Sequence, residues 1–238
     1  MNSRTFEVTS PGMPPRLLAI PVRTPLVRSG DDLPAMVAAC VAGIASPDDV
    51  ICVSETTVAI AQGRSIAAEF VRPTFLARLL ADHAGIYATV SQPESLQLVM
   101  DKAGAFKVLY ASAAAAAGRV IGRRGDFYRI LGSDVAEIDG YTGTMPPYER
   151  HIVFGPDKPG EAATNIARVC GAHAAIVDVN DLHKVEILGS SAGISLTTVA
   201  ECLRGNPHGN SDQQTPVVVL KYRPAPGSPA SNPLTAHP

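Results

Sequence analysis

Short unbroken apolar runs alternate along the chain with stretches of helical periodicity. Residues 50–54, 174–177 and 216–222 are near-continuous apolar runs bounded by turn residues, the pattern of strands buried on both faces. Residues 16–22 read as a first strand, in which Pro21 points to an edge or a strand end. Leu33, Met36, Val37, Cys40, Val41 and Ile44 then recur at helical spacing, with Asp31 or Asp32 as cap and Pro34 in the permissive first turn. Further helices are expected after Arg72-Pro73, with Phe75, Leu76, Leu79 and Leu80, and from Gln92-Pro93, with Leu96, Val99 and Met100 inward. Residues 105–110 read as a strand, 111–124 as an alanine-rich helix, and 127–131 with 135–138 as a hairpin-like pair around Gly132-Ser133. Strands at 151–154 and 185–188 and helices at 161–170 and 194–203 follow. The last helix is stopped by Gly205-Asn206-Pro207.

This mixture lacks a strict strand–helix alternation, so the expected class is α+β, with mixed sheets and packed helices. Residues 1–15 read as a flexible arm and 223–238 as a disordered tail. One domain is expected over 16–222, with the long loop 139–150 as the place where two subdomains could divide. A formal net charge of -2, the absence of Trp and few aromatics leave no electrostatic or stacking footprint for nucleic acid. Cys40, Cys52, Cys170 and Cys202 are scattered and read as reduced core residues of a soluble, cytoplasmic protein. The longest apolar stretch, 108–121, is too short for a bilayer, which needs about 20 residues.

Common catalytic signatures are missing: there is no P-loop, no dinucleotide glycine fingerprint and no zincin or esterase motif. Residues 155–160 precede a helix and could receive a phosphate, although a strand-to-helix turn is the preferred reading. Arg124-Gly125-Asp126 reads as a tight turn, and the histidines show no zinc-ligand spacing. The stretch AAIVDVNDLHKVEILGSS places Asp178, Asn180 and Asp181 at the exit of a buried strand. Such residues suit turn chemistry or a hard cation. Asp139, Asp178, Asp181 and Asp212 are the acidic loop positions. Asp139, Asp178 and Asp181 form the candidate set for magnesium or manganese, should they converge.

Several segments in order resemble the coenzyme F-420-0:gamma-glutamyl ligase family, particularly its short bacterial relatives. They are AIPVRTPLVRSGDDL, VICVSETTVAIAQGR, FYRILGSDVAEIDG, HIVFGPDKP, AIVDVNDLHKVEILGSS and NPHGNSDQQTPVVVLKYR, together spanning residues 16–222. The resemblance implies a two-part α+β fold, an intertwined homodimer, and a ligase that uses GTP with Mg or Mn. It implies L-glutamate and a deazaflavin, or another small carboxylate, as substrates joined by an amide bond. Ile20, Pro21, Val22, Glu55, Thr56, Gly63 and Arg64 fall at nucleotide-contacting positions of that pattern. The family's Ser-Lys-Ala-Glu-Gly-Arg motif aligns with residues 59–64, where Ile60 replaces the lysine. Its Asn-Ala-Gly-Ile-Asp-x-x-Asn segment aligns with residues 83–90, where Tyr87 and Val90 replace the aspartate and the second asparagine. The alternative is a non-catalytic homodimer of the same fold that binds a ligand or partner.

Overall fold

A computed structural model describes residues 6–8, 17–84, 89–132, 138, 146–180, 182–209, 213–223 and 232–235. The chain forms two compact units. The first combines Met1–Gly63 with Pro156–Pro238, and the second is the inserted segment Arg64–Gly155. The chain thus divides at 63/64 and 155/156, whereas the loop pattern suggested 139–150.

The first unit is built on a six-stranded mixed sheet. Its strands are β1 (Phe6–Val8), β2 (Leu17–Val22), β3 (Val50–Ser54), β6 (His173–Val179), β7 (Val185–Ser190) and β8 (Val217–Tyr222), in the order β1-β2-β8-β3-β6-β7. β3 and β6 are parallel, and the other neighbours are antiparallel. Val217, Val218, Val219 and Leu220 are fully buried, as are Val50 to Val53 and Ala174 to Ile176, so the apolar runs mark central strands. Alternate residues Val50, Cys52, Ala175, Val177, Val218 and Leu220 face one core with Val199, Cys202 and Leu203 of helix α8 (Leu196–Leu203). Helices α1 (Leu33–Val41), α2 (Glu55–Ala61) and α7 (Pro159–Cys170) complete the unit, α7 packing on β6 and β7. Gly189 makes that approach possible, because a Cβ there would fall on the backbone of Pro159 and Gly160, 2.8 Å from Gly160 Cα.

Capping follows the expected chemistry. Asp32 accepts from the Ala35 amide at 3.1 Å, and Pro34 occupies the first turn of α1. Pro21 is tolerated because β1 pairs only with Leu17, Leu18 and Ala19, beyond which β8 is the one described neighbour of β2. Both termini differ from their polar reading. Phe6–Val8 forms β1, and Leu234 is fully buried in the α8-side core, its carbonyl accepting from Ser195 N at 2.8 Å. Leu234 finds the core from an otherwise polar segment, a tertiary effect that composition averages away.

In the second unit β4 (Ser65–Ala67) pairs antiparallel with β5 (His151–Val153), joining the entry and exit of the insertion. Helices α3 (Phe75–Asp82), α4 (Pro93–Ala103), α5 (Ala105–Val120) and α6 (Asp126–Leu131) surround Ala77, Ala81, Leu96, Val99, Met100, Val108, Ala111 and Ile152. Two expectations are corrected here. The strand expected at 105–110 is the start of α5. Gly104, at φ 88°, breaks the chain away from α4, and the alanine run carries one helix through both segments. The expected hairpin at 127–131 is α6, bounded by Gly125 and Gly132 at positive φ. Asp126 pairs with Arg123 and Arg129 three residues away on either side, spacing that only a helix or tight turn brings together. Residues 135–137 lie outside the described residues. Among the described residues no helix is long and apolar enough to cross a membrane.

Candidate functional site

The sheet places several of the expected positions at one end. β2, β3 and β6 run in the same direction, and β8 runs against all three. Val22 and Val53 both face Val217, while Ser54 pairs with Val177, so Asp178 lies one residue beyond, at the same end. Ser54 N–H donates to Pro216 O at 2.9 Å, and Glu55 and Thr56 open α2 immediately afterwards. Val22, Glu55, Thr56 and Asp178 therefore lie at the carboxyl ends of strands that run the same way, where α/β sheets commonly receive ligands, while Ile20 and Pro21 sit further into the sheet, level with Ile51 and Cys52. Pro21 and Val22 are buried and Ile20 is half-buried. Their apolar side chains supply no charge.

Gly63 and Arg64 are not part of this convergence. Gly63 lies past the far end of α2, about 12 Å along the helix axis from Glu55. Its φ of 72° and the Ser29 Oγ 2.9 Å from a would-be Cβ explain the glycine structurally. Arg64 belongs to the second unit, where its Nε donates to Gly155 O at 2.6 Å.

The charge at the sheet end is organised by Lys184, a residue the sequence reading passed over. The β6–β7 turn is held by Asn180, whose side chain accepts from the amides of Leu182 and Lys184 at 3.0 and 3.2 Å. That is the turn chemistry expected of asparagine. Lys184 Nζ lies 3.1 Å from Glu186 Oε2, and Glu186 stands opposite Asp178 across the strands. The Glu186 hydrogen bond and charge, with Asp178 and Glu55 further off, push the ammonium's pKa up. Burial raises the Asp178 carboxyl above its ordinary range, Lys184 opposes that shift, and Glu186 adds to it.

Of the expected metal set, Asp139 and Asp181 lie outside the described residues, as does Asp212. Among the described residues no group of three His, Cys, Asp or Glu could hold a metal ion. Asp178 has an ammonium beside it in place of a cation-binding partner, so the described residues do not by themselves fit a metal centre.

Two further features border this region. In the loop before β8, His208 Nδ1 lies 3.2 Å from Thr215 O, and Thr215 Oγ1 donates to His208 O at 2.5 Å. Burial lowers the imidazole pKa to about 4, against the opposing Thr215 hydrogen bond, so the ring is neutral near pH 7. Next along this loop, Gln214 Nε2 donates to Thr24 O at 2.8 Å, tying it to the segment that leaves β2. His208 Nε2 and Thr24 Oγ1 are both buried without a hydrogen-bond partner among the described residues. Lone-histidine spacing gave no sign of this.

The 155–160 segment is a strand-to-helix turn, with Lys158 at φ 43° and the Gln62 amide bridging to the Asp157 backbone at 2.9 and 2.7 Å. A cleft of about 290 Å³ beside it is lined by Asp31, Asp32, Asp157 and Glu161 as well as Lys158. Carboxylates outnumber cations there, which disfavours a phosphate. Cys40, Cys52, Cys170 and Cys202 are all free thiols, with Cys52 and Cys202 in the core.

The mixed sheet and the inserted helical unit define an α+β protein. The chain belongs to the F420-0:Gamma-glutamyl ligase family, whose model matches residues 21–201. A search of curated proteins found no match.

Proposed function

We propose that this chain is an amide-forming ligase that uses GTP, with magnesium or manganese accompanying the nucleotide, to join L-glutamate to the carboxylate of a deazaflavin-type acceptor. The observation that carries this reading is the Lys184 ammonium among Asp178, Glu186 and Glu55 at the sheet end of a family-matched chain. In this reading an acceptor carboxylate oxygen takes the terminal phosphoryl group and GDP leaves. The glutamate amine then attacks the acyl carbon, the C–N bond forms, inorganic phosphate departs, and the amine's proton is released. Lys184 supplies a positive charge that Ile60 cannot, and the divalent cation carried with the nucleotide would offset the carboxylates around it. Asp178, with its raised pKa, suits the role of proton acceptor from the glutamate amine.

A second reading, a ligand-binding protein without catalysis, is favoured by the departures themselves. Ile60 is 5% exposed and Val90 7% exposed, so both positions serve packing. Calorimetric titration with GTP, with and without manganese and with ATP as control, separates the two. The ligase reading expects metal-dependent, GTP-selective binding that Lys184→Ala weakens by at least about tenfold, as for loss of a charge-assisted contact. Absence of heat with any nucleotide rejects it in favour of the second.

A further inference from the structure

The turn between β6 and β7 is fixed from both sides of Lys184. Asn180 bonds both backbone groups of that lysine: its amide donates to Lys184 O at 3.1 Å, and its side chain accepts from Lys184 N at 3.2 Å. The preceding residue, His183, donates its amide to Asn180 O at 3.1 Å. His183 also holds φ 60°, a left-handed conformation that glycine adopts freely and that costs a residue with a side chain conformational energy. Its ring reaches out of the turn, with Nδ1 2.8 Å from Arg204 O, just past the end of α8. A carbonyl can only accept, so Nδ1 carries the proton and donates. Carbonyls at a helix end lack an intrahelical partner, and His183 supplies one here.

We propose that His183 is a positioning residue, whose bond to the end of α8 fixes the turn and aims the Lys184 ammonium along the hairpin toward Glu186. That the aimed ammonium serves a nucleotide rests on the ligase reading. Lys184 Nζ meets Glu186 Oε2 at 3.1 Å, and the two side chains are 65% and 57% exposed. An ion pair so exposed is weak, and by itself holds two long side chains loosely. The direction from which Lys184 leaves the backbone therefore matters more than the pair. That direction is set by the peptide between His183 and Lys184, which Asn180 holds on one side and the ring of His183 ties to a helix on the other. The anchor is rigid, because Val199, Cys202 and Leu203 bury α8 in the core of the first unit. A charged group at a functional site is placed accurately when its supporting contacts are themselves fixed in this way. A histidine serving only as a cap for α8 would affect stability and leave Lys184 unchanged, and that difference can be measured.

Two variants of the full chain separate the roles. His183→Gly suits the backbone conformation and removes the ring. His183→Asn tolerates the same conformation and places its amide nitrogen where Nδ1 stands, so it should keep the bond to Arg204 O. Circular dichroism melts should show both variants folded. Acylation of lysines by a limiting amount of acetic anhydride, read residue by residue by mass spectrometry against the exposed Lys107, reports how firmly Glu186 holds the Lys184 amine. Lys184 labelling should rise by about twofold or more in His183→Gly and stay at the wild-type level in His183→Asn, the shift expected when one neutral hydrogen bond is lost. Calorimetry with GTP and manganese should show affinity weakened by about threefold to tenfold in His183→Gly, and restored in His183→Asn. Labelling that responds in a protein whose wild type binds no nucleotide would sustain the positioning role and reject the ligase reading alone. Unchanged Lys184 labelling in His183→Gly would overturn the proposal. So would an asparagine variant that behaves like the glycine one, or a GTP affinity that His183→Gly leaves at the wild-type value.

Discussion

The two units of this chain treat apolar sequence in opposite ways. In the first, both faces of a six-stranded sheet are covered, and even the termini contribute, through β1 and Leu234. In the second, four helices enclose a small core and leave Phe70, Phe75, Phe106, Tyr110 and Val120 largely in solvent. The difference is one of surface to volume. A unit of about 90 residues buries a smaller share of its apolar surface than a larger one, and the remainder is available to another molecule. Stability is thus concentrated in the sheet unit, and the helical unit carries most of the exposed large apolar side chains.

The sharpest way to break this comparison is at Asp49. Its carboxylate lies 2.5 Å from Lys221 Nζ and accepts from Ser46 N at 2.7 Å, stitching the turn before β3 to β8. Lys221 also donates to Ile44 O at 2.6 Å, and the two side chains are only 15% and 6% exposed. Asp49→Ala leaves a mostly buried ammonium without its counter-charge. Urea denaturation should show a loss of about 3 kcal/mol. An unchanged midpoint would mean that the sheet unit is not where stability resides.

Leu234 gives the next effect. Leu234→Ala should cost about 2–3 kcal/mol, the usual range for a buried leucine at a site able to relax partly. Phe106→Asp, a larger chemical change in the other unit, should leave the melting temperature within about 1 °C of wild type. Equal losses from the two substitutions would erase the contrast. A loss from Phe106→Asp alone would reverse it.

The sheet was more legible than the insertion because its signals are local and redundant. The runs at Val50, Ala174 and Val217 can be little else than buried strands, and Asp32 and Pro34 mark the start of α1 by their own chemistry. The segment AFKVLY at the head of α5 reads as a strand in isolation, and only the adjoining alanine run makes it helical. The DFYRIL segment is apolar enough for a hairpin, whereas its Asp126 ion pairs with Arg123 and Arg129 hold it as α6. The site was legible as positions more than as chemistry. The resemblance led to Val22, Glu55 and Thr56, which the topology gathers at one end of the sheet, and equally to Gly63 and Arg64, which it does not. Lys184 was passed over because a lysine in a polar turn ordinarily reads as solvated. Its meaning comes from Glu186 across the same hairpin and from Asp178 and Glu55, far apart in sequence.

The smallest expected effect sharpens the comparison by pH. His208 is half-buried at the N-terminal approach to β8, its Nε2 out of reach of solvent and its pKa lowered to about 4. A histidine whose folded pKa is depressed stabilises the fold above its unfolded pKa, about 6.5, and loses that contribution as pH falls toward the folded value. Between pH 7 and 5.5 the chain should therefore lose about 1 kcal/mol, from the part of the titration window crossed. The loss should continue toward pH 4. His208→Gln, which cannot become charged, should flatten this dependence while lowering stability at pH 7. The readout is the urea midpoint measured across this range for both proteins. If the sheet unit governs unfolding, the wild-type slope will appear in the global transition. Identical slopes in the two proteins would mean that His208 is solvated in the folded chain and that this end of the sheet is more open than its packing indicates.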